Sequence, residues 1–503
     1  MNTFHDKRIS VIGAARSGLA AARILTRLGA HILLSDSQTA QQLGTARVAE
    51  IEATGAAFVL GANMETALPA GTELVVTSPG VPKTAPVLQE AVRRGIPVWS
   101  EIELAYRLTD APILATTGTN GKTTTTLLLG AILQAAGKNA LVCGNVSADE
   151  IKRTLVEAAV EASQPSPLTP LPRCGRGERS GSPFSHSVGE GGRGDEGALL
   201  VAEISSFQLE WIERFAPKVA ILTNVTPDHL NRHASFDEYA QTKARLFAAQ
   251  GPEDWAVLNY DNPTARAVGQ SNLPGRRGWF TRSASPPDDG PAAWLQDGVL
   301  TVRLEPDVPA IAILPARDLP PSLPGAHSVE NVLAASIAAL AMGVEAETIA
   351  RAVRNFGGVA HRMERVAEIG GVLYINNSMC TNVAAAIRSL EAMERPTIVI
   401  AGGADKGLDF APLAPTLRAR AKHLILLGAA AEKMETTFRA GGYANISRAE
   451  TLQDAVTQAR ARAVPGDAVL LAPACASFDM FTDFEARGAA FREAVRALAE
   501  RSV

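Results

Sequence analysis

Short apolar blocks alternate along this chain with segments in which apolar residues recur every three or four positions. Arg8 to Gly13 (RISVIG) reads as a buried strand, Gly18 to Leu28 as a helix, and His31 to Ser35 as a strand ending at Asp36. Leu74 to Thr77 is a further strand that runs into the turn Ser78-Pro79-Gly80. The alternation restarts near Ala111, with strands over Pro112–Thr116, Ala198–Glu203 and Val219–Asn224, and a helix over Thr124–Ala136. An Ala-rich helical region is expected from Ala326 to Phe356. A third alternating block has strands at Val372 (VLYIN), Thr397–Ala401, His423–Leu427 and Ala468–Ala472. Strands separated by helices point to parallel sheets with helices on their faces, an α/β architecture.

Two stretches break the pattern. Residues 161–197 hold 8 Gly, 5 Pro and 6 Ser. Such a segment buries too little apolar surface to offset its ordering entropy and is expected to be a disordered insertion; a lid over a site is the other reading. Ser271 to Leu319 reads as a Pro-rich loop with strand-like islands such as Val299–Leu304.

Composition narrows the picture. At roughly 150 residues per domain, 503 residues suggest about three domains. Lys+Arg is 48 and Asp+Glu is 52, so no global field draws the chain to nucleic acid or to an anionic membrane. The apolar run Val332–Val344 falls short of the roughly 18 residues that span a bilayer. Four cysteines without a C-x-x-C pair, and a start that does not read as a signal peptide, fit a reducing cytoplasm.

The densest chemistry lies in Ile113 to Thr126 (ILATTGTNGKTTTT). A strand enters, Gly118-Thr119-Asn120-Gly121-Lys122-Thr123 turns, and a helix leaves. Glycines allow backbone N–H groups to converge on phosphate oxygens, and the helix N-terminus adds partial positive charge. Lys122 would reach terminal phosphates and the Thr123 hydroxyl would ligate Mg²⁺. The general phosphate-loop pattern has Gly where Thr116 stands, and an ordinary Gly turn is the plainer reading.

Gly13-x-Ala15-x-x-Gly18, with Asp36 closing the next strand, is like a dinucleotide fingerprint that lacks its middle Gly. A nucleotide other than a nicotinamide dinucleotide is favoured; Asp36 would accept from a ribose hydroxyl or cap the following helix. Glu203 and His229 each sit at the end of a strand beside the phosphate loop, suited to a second Mg²⁺ or a substrate phosphate. His229 and His233 have i, i+4 spacing but no third ligand for zinc, and His233 reads as a surface histidine. Lys243 alone reads as an exposed helix lysine.

These motifs occur in one order: Gly118–Thr123, Ser205-Ser206-Phe207-Gln208-Leu209-Glu210, Asn224-Val225-Thr226-x-Asp228-His229, His327-x-x-x-Asn331, His361-Arg362 and Pro473-Ala474-Cys475-Ala476-Ser477. The order resembles the Mur ligase family, and the second and last segments resemble its D-glutamate-adding branch. The resemblance implies three domains: a Rossmann-like one for UDP over 1–110, a central P-loop ATPase type over 111–358, and a Rossmann-like one for the amino acid over 359–503. It implies a monomeric cytoplasmic enzyme using ATP and two Mg²⁺ to join D-glutamate to UDP-N-acetylmuramoyl-L-alanine through an acyl phosphate, for peptidoglycan.

Carried over by motif, Arg16, Ser17, Asp36, Ser37, Ser78, Pro79 and Gly80 would hold UDP, and Asn145 and His229 the sugar-peptide portion. The loop Gly118–Thr123 with Thr124, Asn331, Arg362 and Asn377 would hold the nucleotide. Thr381, Lys406, Ser477, Phe478 and Phe484 would recognise D-glutamate. Lys122, Glu203, His229 and Lys243 would be catalytic, with Thr123, Glu203, His229 and a carbamylated Lys243 as metal ligands. The sense of a carbamate is charge inversion, since an ammonium would repel Mg²⁺. The chain departs from the family at Asn377-Ser378-Met379-Cys380-Thr381-Asn382, where D-S-K-x-T-N is usual. Asn377 keeps an acceptor without charge, and Met379 removes a cation. A sibling ligase for another amino acid such as L-glutamate, or a non-catalytic nucleotide-binding homologue, is the alternative.

Overall fold

The computed structural model describes residues 4–146, 153–163, 197–229, 232–405 and 407–500. Three sheets succeed one another. The first holds β1 (Arg8–Ile12), β2 (His31–Asp36), β3 (Ala57–Leu60), β4 (Leu74–Thr77) and β5 (Val98–Ser100). Its order is β3-β2-β1-β4-β5, all parallel. The winding reverses between β1 and β4, so the loops leaving their carboxyl ends part and open a crevice.

The second sheet holds β6 (Ile113–Thr117), β7 (Ala140–Gly144), β8 (Leu199–Glu203), β9 (Val219–Leu222), β10 (Trp255–Asn259), β11 (Arg276–Phe280), β12 (Ala292–Gln296), β13 (Val299–Arg303) and β14 (Ile311–Pro315). The order is β14-β13-β12-β11-β10-β9-β6-β8-β7, with only β13 and β14 antiparallel to their neighbours. All five residues of β6 are buried, as befits a continuous apolar strand covered on both faces. Helix Lys122–Ala135 lays Leu128, Leu129, Ile132 and Leu133 into the core shared with helix Ala326–Ala341. Each such leucine contributes on the order of 2 kcal/mol.

The third sheet holds β15 (Glu364–Ile369), β16 (Val372–Asn376), β17 (Thr397–Gly402), β18 (Ala421–Leu427), β19 (Ile446–Arg448) and β20 (Ala468–Leu471). Its order is β15-β16-β20-β17-β18-β19, parallel except for β15.

Buried Glu103 clamps the first two sheets' elements together. It lies in helix Glu101–Leu108, accepts backbone N–H bonds from Glu213, Arg214 and Phe215 at 2.9–3.0 Å, and pairs with Arg107 at 2.7 Å. Arg232 adds bonds to Glu210 and to the carbonyls of Gly80 and Val81.

Several expectations need correction. The region Ala326–Phe356 is two helices, Ala326–Ala341 and Ala346–Arg354, with Gly343 between them at a φ of +75°. Ser271–Leu319 is no loop: β11 to β14 lie inside it, because its apolar islands pair with one another. Asp297 and Gly298, both at positive φ, form the two-residue turn between β12 and β13. The helix after the phosphate loop begins at Lys122 rather than Thr124. Residues 161 and 162 are not disordered, since a capping box at Thr154 and Glu157 starts a helix that runs through Ala162. The rest of the expected insertion, residues 164–196, lies outside the described residues. Among the described residues, no helix is long and apolar enough to cross a membrane.

Candidate functional site

Beyond β6 the backbone turns at Gly118 (φ +145°) and Gly121 (φ +85°) into helix Lys122–Ala135. A Cβ on Gly118 would stand 1.9 Å from Thr223 Oγ1, and one on Gly121 would stand 2.5 Å from Asn331 Oδ1. Sterics and dihedrals thus both demand glycine there. The loop is held from outside. Asn120 N–H donates to Asn224 Oδ1 at 3.0 Å, and Asn120 O accepts from Asn224 Nδ2 and Thr223 Oγ1. Thr119 Oγ1 donates to Thr226 O at 3.1 Å. This preformed loop ends at a helix N-terminus whose first N–H groups have no partner within the helix, an arrangement that attracts anions.

Thr123 Oγ1 donates to Glu203 Oε2 at 2.7 Å, and Glu203 is buried. Asn145 reaches the other carboxylate oxygen at 3.5 Å and donates its N–H to Glu203 O at 2.8 Å. Two hard oxygen donors beside the phosphate loop suit Mg²⁺, which takes few protein ligands and completes its shell with phosphate and water. Among the described residues, no cluster of three His, Cys, Asp or Glu side chains could hold a metal. Thr123 and Glu203 supply two oxygen donors to such an ion.

Lys243 is not an exposed helix lysine. It is 1% exposed, donates to Gly118 O at 2.9 Å and lies 4.7 Å from the Tyr239 ring centre. Burial, with Lys122 nearby, drives its pKa well below the ordinary lysine value. Burial also lowers the pKa of Lys122, against the pull of Glu203. His229, at a φ of +52°, packs against Phe207 at 4.9 Å and has its pKa lowered by burial. His233 is not at the surface either: it is buried, with Nε2 bonded to Ser206 Oγ at 3.1 Å. Asp228 thus acts on Lys122, His229 and Lys243, and Glu203 on the two lysines.

A cavity of about 500 Å³ opens over the loop. Thr119, Asn120, Gly121, Lys122, Thr123, Glu203 and Asn331 line one side, and Arg362, Asn377, Met379 and Arg388 of the third domain line the other. Gly118 and Thr124 do not line it. Asn331 Oδ1 accepts from Thr125 Oγ1 at 3.2 Å, which ties its helix to the loop. Asn377 is engaged internally, donating to Ser389 Oγ at 2.6 Å and accepting from Met363 N–H at 3.2 Å. Sequence reasoning missed Asn259, Asp261, Arg282, Glu330 and Arg388, all of which line the cavity. The polar run Asn259–Asn262 at the end of β10 was the signal for the first two.

A second cleft of about 810 Å³ lies at the winding reversal of the first sheet, lined by Gly13, Ala15, Asp36, Ser37, Ser78 and Gly80 among others. Asp36 caps its own surroundings, accepting from the N–H groups of Ala14 and Gln38 at 2.8 and 2.9 Å. Thr39, not Asp36, caps the following helix. Ser78 Oγ donates to Gly13 O at 2.8 Å and fixes the loop. Arg16, Ser17 and Pro79 do not line this cleft; Arg16 instead donates to Gly144 O at 3.2 Å.

In the third domain, Thr381 and Ser477 stand on loops after β16 and β20, which are adjacent parallel strands. Buried Arg487 joins these loops, donating to Ser378 Oγ and O and to the carbonyls of Cys475 and Ala476. Phe484 packs on His361, while Phe478 is 69% exposed. None of Thr381, Ser477, Phe478 and Phe484 lines the cavity over the loop. Lys406 lies outside the described residues.

Three parallel-sheet domains, with a phosphate loop in the middle one facing the third, define a multidomain P-loop protein. The chain belongs to the Mur ligase family. Residues 7–100 match a Mur ligase MurD-like N-terminal domain, 193–339 a Mur ligase middle domain, and 361–475 a Mur ligase glutamate ligase domain. It is 42% identical over 498 residues to a UDP-N-acetylmuramoylalanine–D-glutamate ligase of Pelotomaculum thermopropionicum, covering 99% of each chain. A ligase of the same name from Salinibacter ruber is 39% identical, with 98% of each covered. Among solved structures, a UDP-N-acetylmuramate–alanine ligase from Thermotoga maritima superposes with a TM-score of 0.57 at 15% identity, covering 98% of this chain and 100% of that one. A pseudomurein peptide ligase type C from Methanothermus fervidus gives 0.53 at 16%, with the same coverage.

Proposed function

We propose that the protein is an ATP-dependent ligase that joins D-glutamate to UDP-N-acetylmuramoyl-L-alanine in peptidoglycan precursor synthesis. One observation carries the reading. Glu203 faces Thr123 of the phosphate loop on one side and Asn145 on the other, and Asn145 adjoins Gly144, which Arg16 of the first domain reaches. Arg16 follows Ala15 of the first cleft, so the first domain meets the second close to Glu203. A nucleotide-sugar held in the first would extend its alanine carboxylate toward a terminal phosphate held in the second.

The carboxylate is a poor electrophile, and transfer of the γ-phosphoryl group of ATP to it gives an acyl phosphate with ADP as leaving group. Lys122 and the loop N–H groups offset the charge on the transferring oxygens. Thr123 and Glu203 would hold Mg²⁺, which supplies Lewis-acid charge neutralisation when bound. The glutamate amine then attacks the acyl carbon and inorganic phosphate departs. Wrapping of the third domain over the cavity excludes the water that would hydrolyse the acyl phosphate. Thr381 and Ser477 are assigned to the amino acid because their loops leave adjacent strands on that domain, and Lys406 by the family motif alone.

The depressed pKa of Lys243 supports carbamylation, since the neutral amine is the form that adds CO₂. With a carbamate there, Lys243 and His229 would serve a second Mg²⁺. Domain boundaries near 110 and 358 fall in the short connections before β6 and β15. A monomer working in the cytoplasm completes the proposal. The test is product analysis: with MgATP, UDP-N-acetylmuramoyl-L-alanine and D-glutamate, one glutamyl residue is added per phosphate released. Phosphate release without that product would contradict the reading.

A further inference from the structure

Besides Arg362, which lines the cavity, the third domain hydrogen-bonds the phosphate loop through a second guanidinium, Arg388. Arg388 lies on helix Val383–Glu391, whose first turn is capped by Asn382 Oδ1 accepting from Ala385 N–H at 2.8 Å. The next residue, Ser389, accepts from Asn377 Nδ2 at 2.6 Å, which pins the helix to the end of β16. From this fixed base Arg388 crosses the cavity and Nη2 donates to Asn120 Oδ1 at 2.7 Å. Asn120 is itself immobilised through Thr223 and Asn224.

This contact brings the guanidinium no counter-charge; Asp228 and Glu391 attract it only from beyond ion-pair distance. Its partner is a neutral amide oxygen, and among the described residues Arg388 forms no ion pair. Arg282, in the same cavity, already pairs with Glu330 at 2.7 Å. A guanidinium has five N–H donors in a planar fork matched to phosphate oxygens. A half-buried fork without an ion pair at the edge of a phosphate loop is suited to an anion, since phosphate oxygens add opposite charge and can accept two parallel N–H groups where the amide oxygen of Asn120 offers only a dipole.

We propose that Arg388 binds the terminal phosphate of the nucleoside triphosphate, exchanging Asn120 Oδ1 for a phosphate oxygen when the cavity fills. The proposal rests on the nucleotide-binding part of the function above. It makes docking of the third domain a reading of the triphosphate: the diphosphate, one phosphate shorter, lacks the oxygen that Arg388 takes.

The test uses the full chain and two probes, the β,γ-imido analogue of ATP and ADP, each with Mg²⁺, bound to wild type, Arg388→Ala and Arg388→Gln. Both variants should weaken the triphosphate analogue by about tenfold or more and ADP by less than about threefold, with the thermal midpoint of the apo protein unchanged. Gln can still donate to Asn120, so its failure to rescue marks the lost charge rather than a lost latch. Equal weakening of both nucleotides, no weakening, or full rescue by Gln would overturn the proposal. Wild-type protein that binds neither nucleotide would overturn it together with the phosphate-loop reading. Wild-type protein that binds the analogue but forms no amide product would sink the ligase reading alone.

Discussion

Thr123, in the first turn of the helix after β6, donates its hydroxyl to Oε2 of Glu203, which ends the adjacent parallel strand β8, at 2.7 Å. A hydroxyl and a buried carboxylate so placed beside a phosphate loop suit a cation. Glu203→Gln keeps the size and one acceptor but removes the charge. Turnover should fall by about 30-fold or more, and the Mg²⁺ concentration for half-maximal rate should rise, because an ion-assisted contact of about 2–3 kcal/mol is lost. A Mg²⁺ titration of phosphate release checks this; an unchanged Mg²⁺ requirement would remove Glu203 from the metal site.

Lys243 gives a second prediction. Its amine is buried against Gly118 O with its pKa driven down, so it is unprotonated more readily than an ordinary lysine. Protein equilibrated with ¹³C-labelled bicarbonate should show a carbamate carbon resonance that Lys243→Ala lacks. The variant should lose most activity, and added formate or acetate should restore part of it. A fully active Lys243→Ala without the resonance difference would exclude the carbamate.

Much of this was legible in the sequence, and the reasons differ by region. The phosphate loop could be read because glycine at 118 and 121 is enforced twice, by positive φ and by side chains less than 3 Å from any Cβ. Strands β1, β2 and β4 of the first sheet could be read because they are short apolar runs bounded by turn residues, whereas β3 and β5, short and less buried, could not. By contrast, β11, β12 and β14 were hidden by proline and glycine between them, although the Asp297-Gly298 hairpin signal was present and β13 matches the strand-like island expected at Val299–Leu304. Arg388 could not be read at all. A single arginine on an Ala-rich helix looks like a solvated residue until the third domain is placed over the second. Burial of Lys243 and His233 was likewise invisible, because each depends on how the Phe236–Ala244 helix and its preceding turn pack, not on local pattern.

Glu101 carries a pH prediction. It is buried, with Oε1 accepting from Gln208 Nε2 at 2.6 Å and Oε2 without a partner. Burial raises its pKa to about 7. The folded protein therefore holds this proton where the unfolded chain has released it. The associated stability is complete below about pH 4.5 and declines as pH rises toward 7, by about 3 kcal/mol in all. Glu101→Gln should remove this decline, so denaturant melts of the variant should exceed wild type at pH 8 and converge with it at pH 5. Parallel pH profiles for the two proteins would contradict the assignment.

The central claim is that this chain forms an amide to D-glutamate. Phosphate release with MgATP and UDP-N-acetylmuramoyl-L-alanine, measured across D-glutamate, L-glutamate and a panel of other amino acids, tests it most directly. The account predicts sustained release and a glutamyl product with D-glutamate alone. Turnover with L-glutamate or another amino acid in its place would contradict it, as would tight binding of the nucleotide-sugar with no amide product at all.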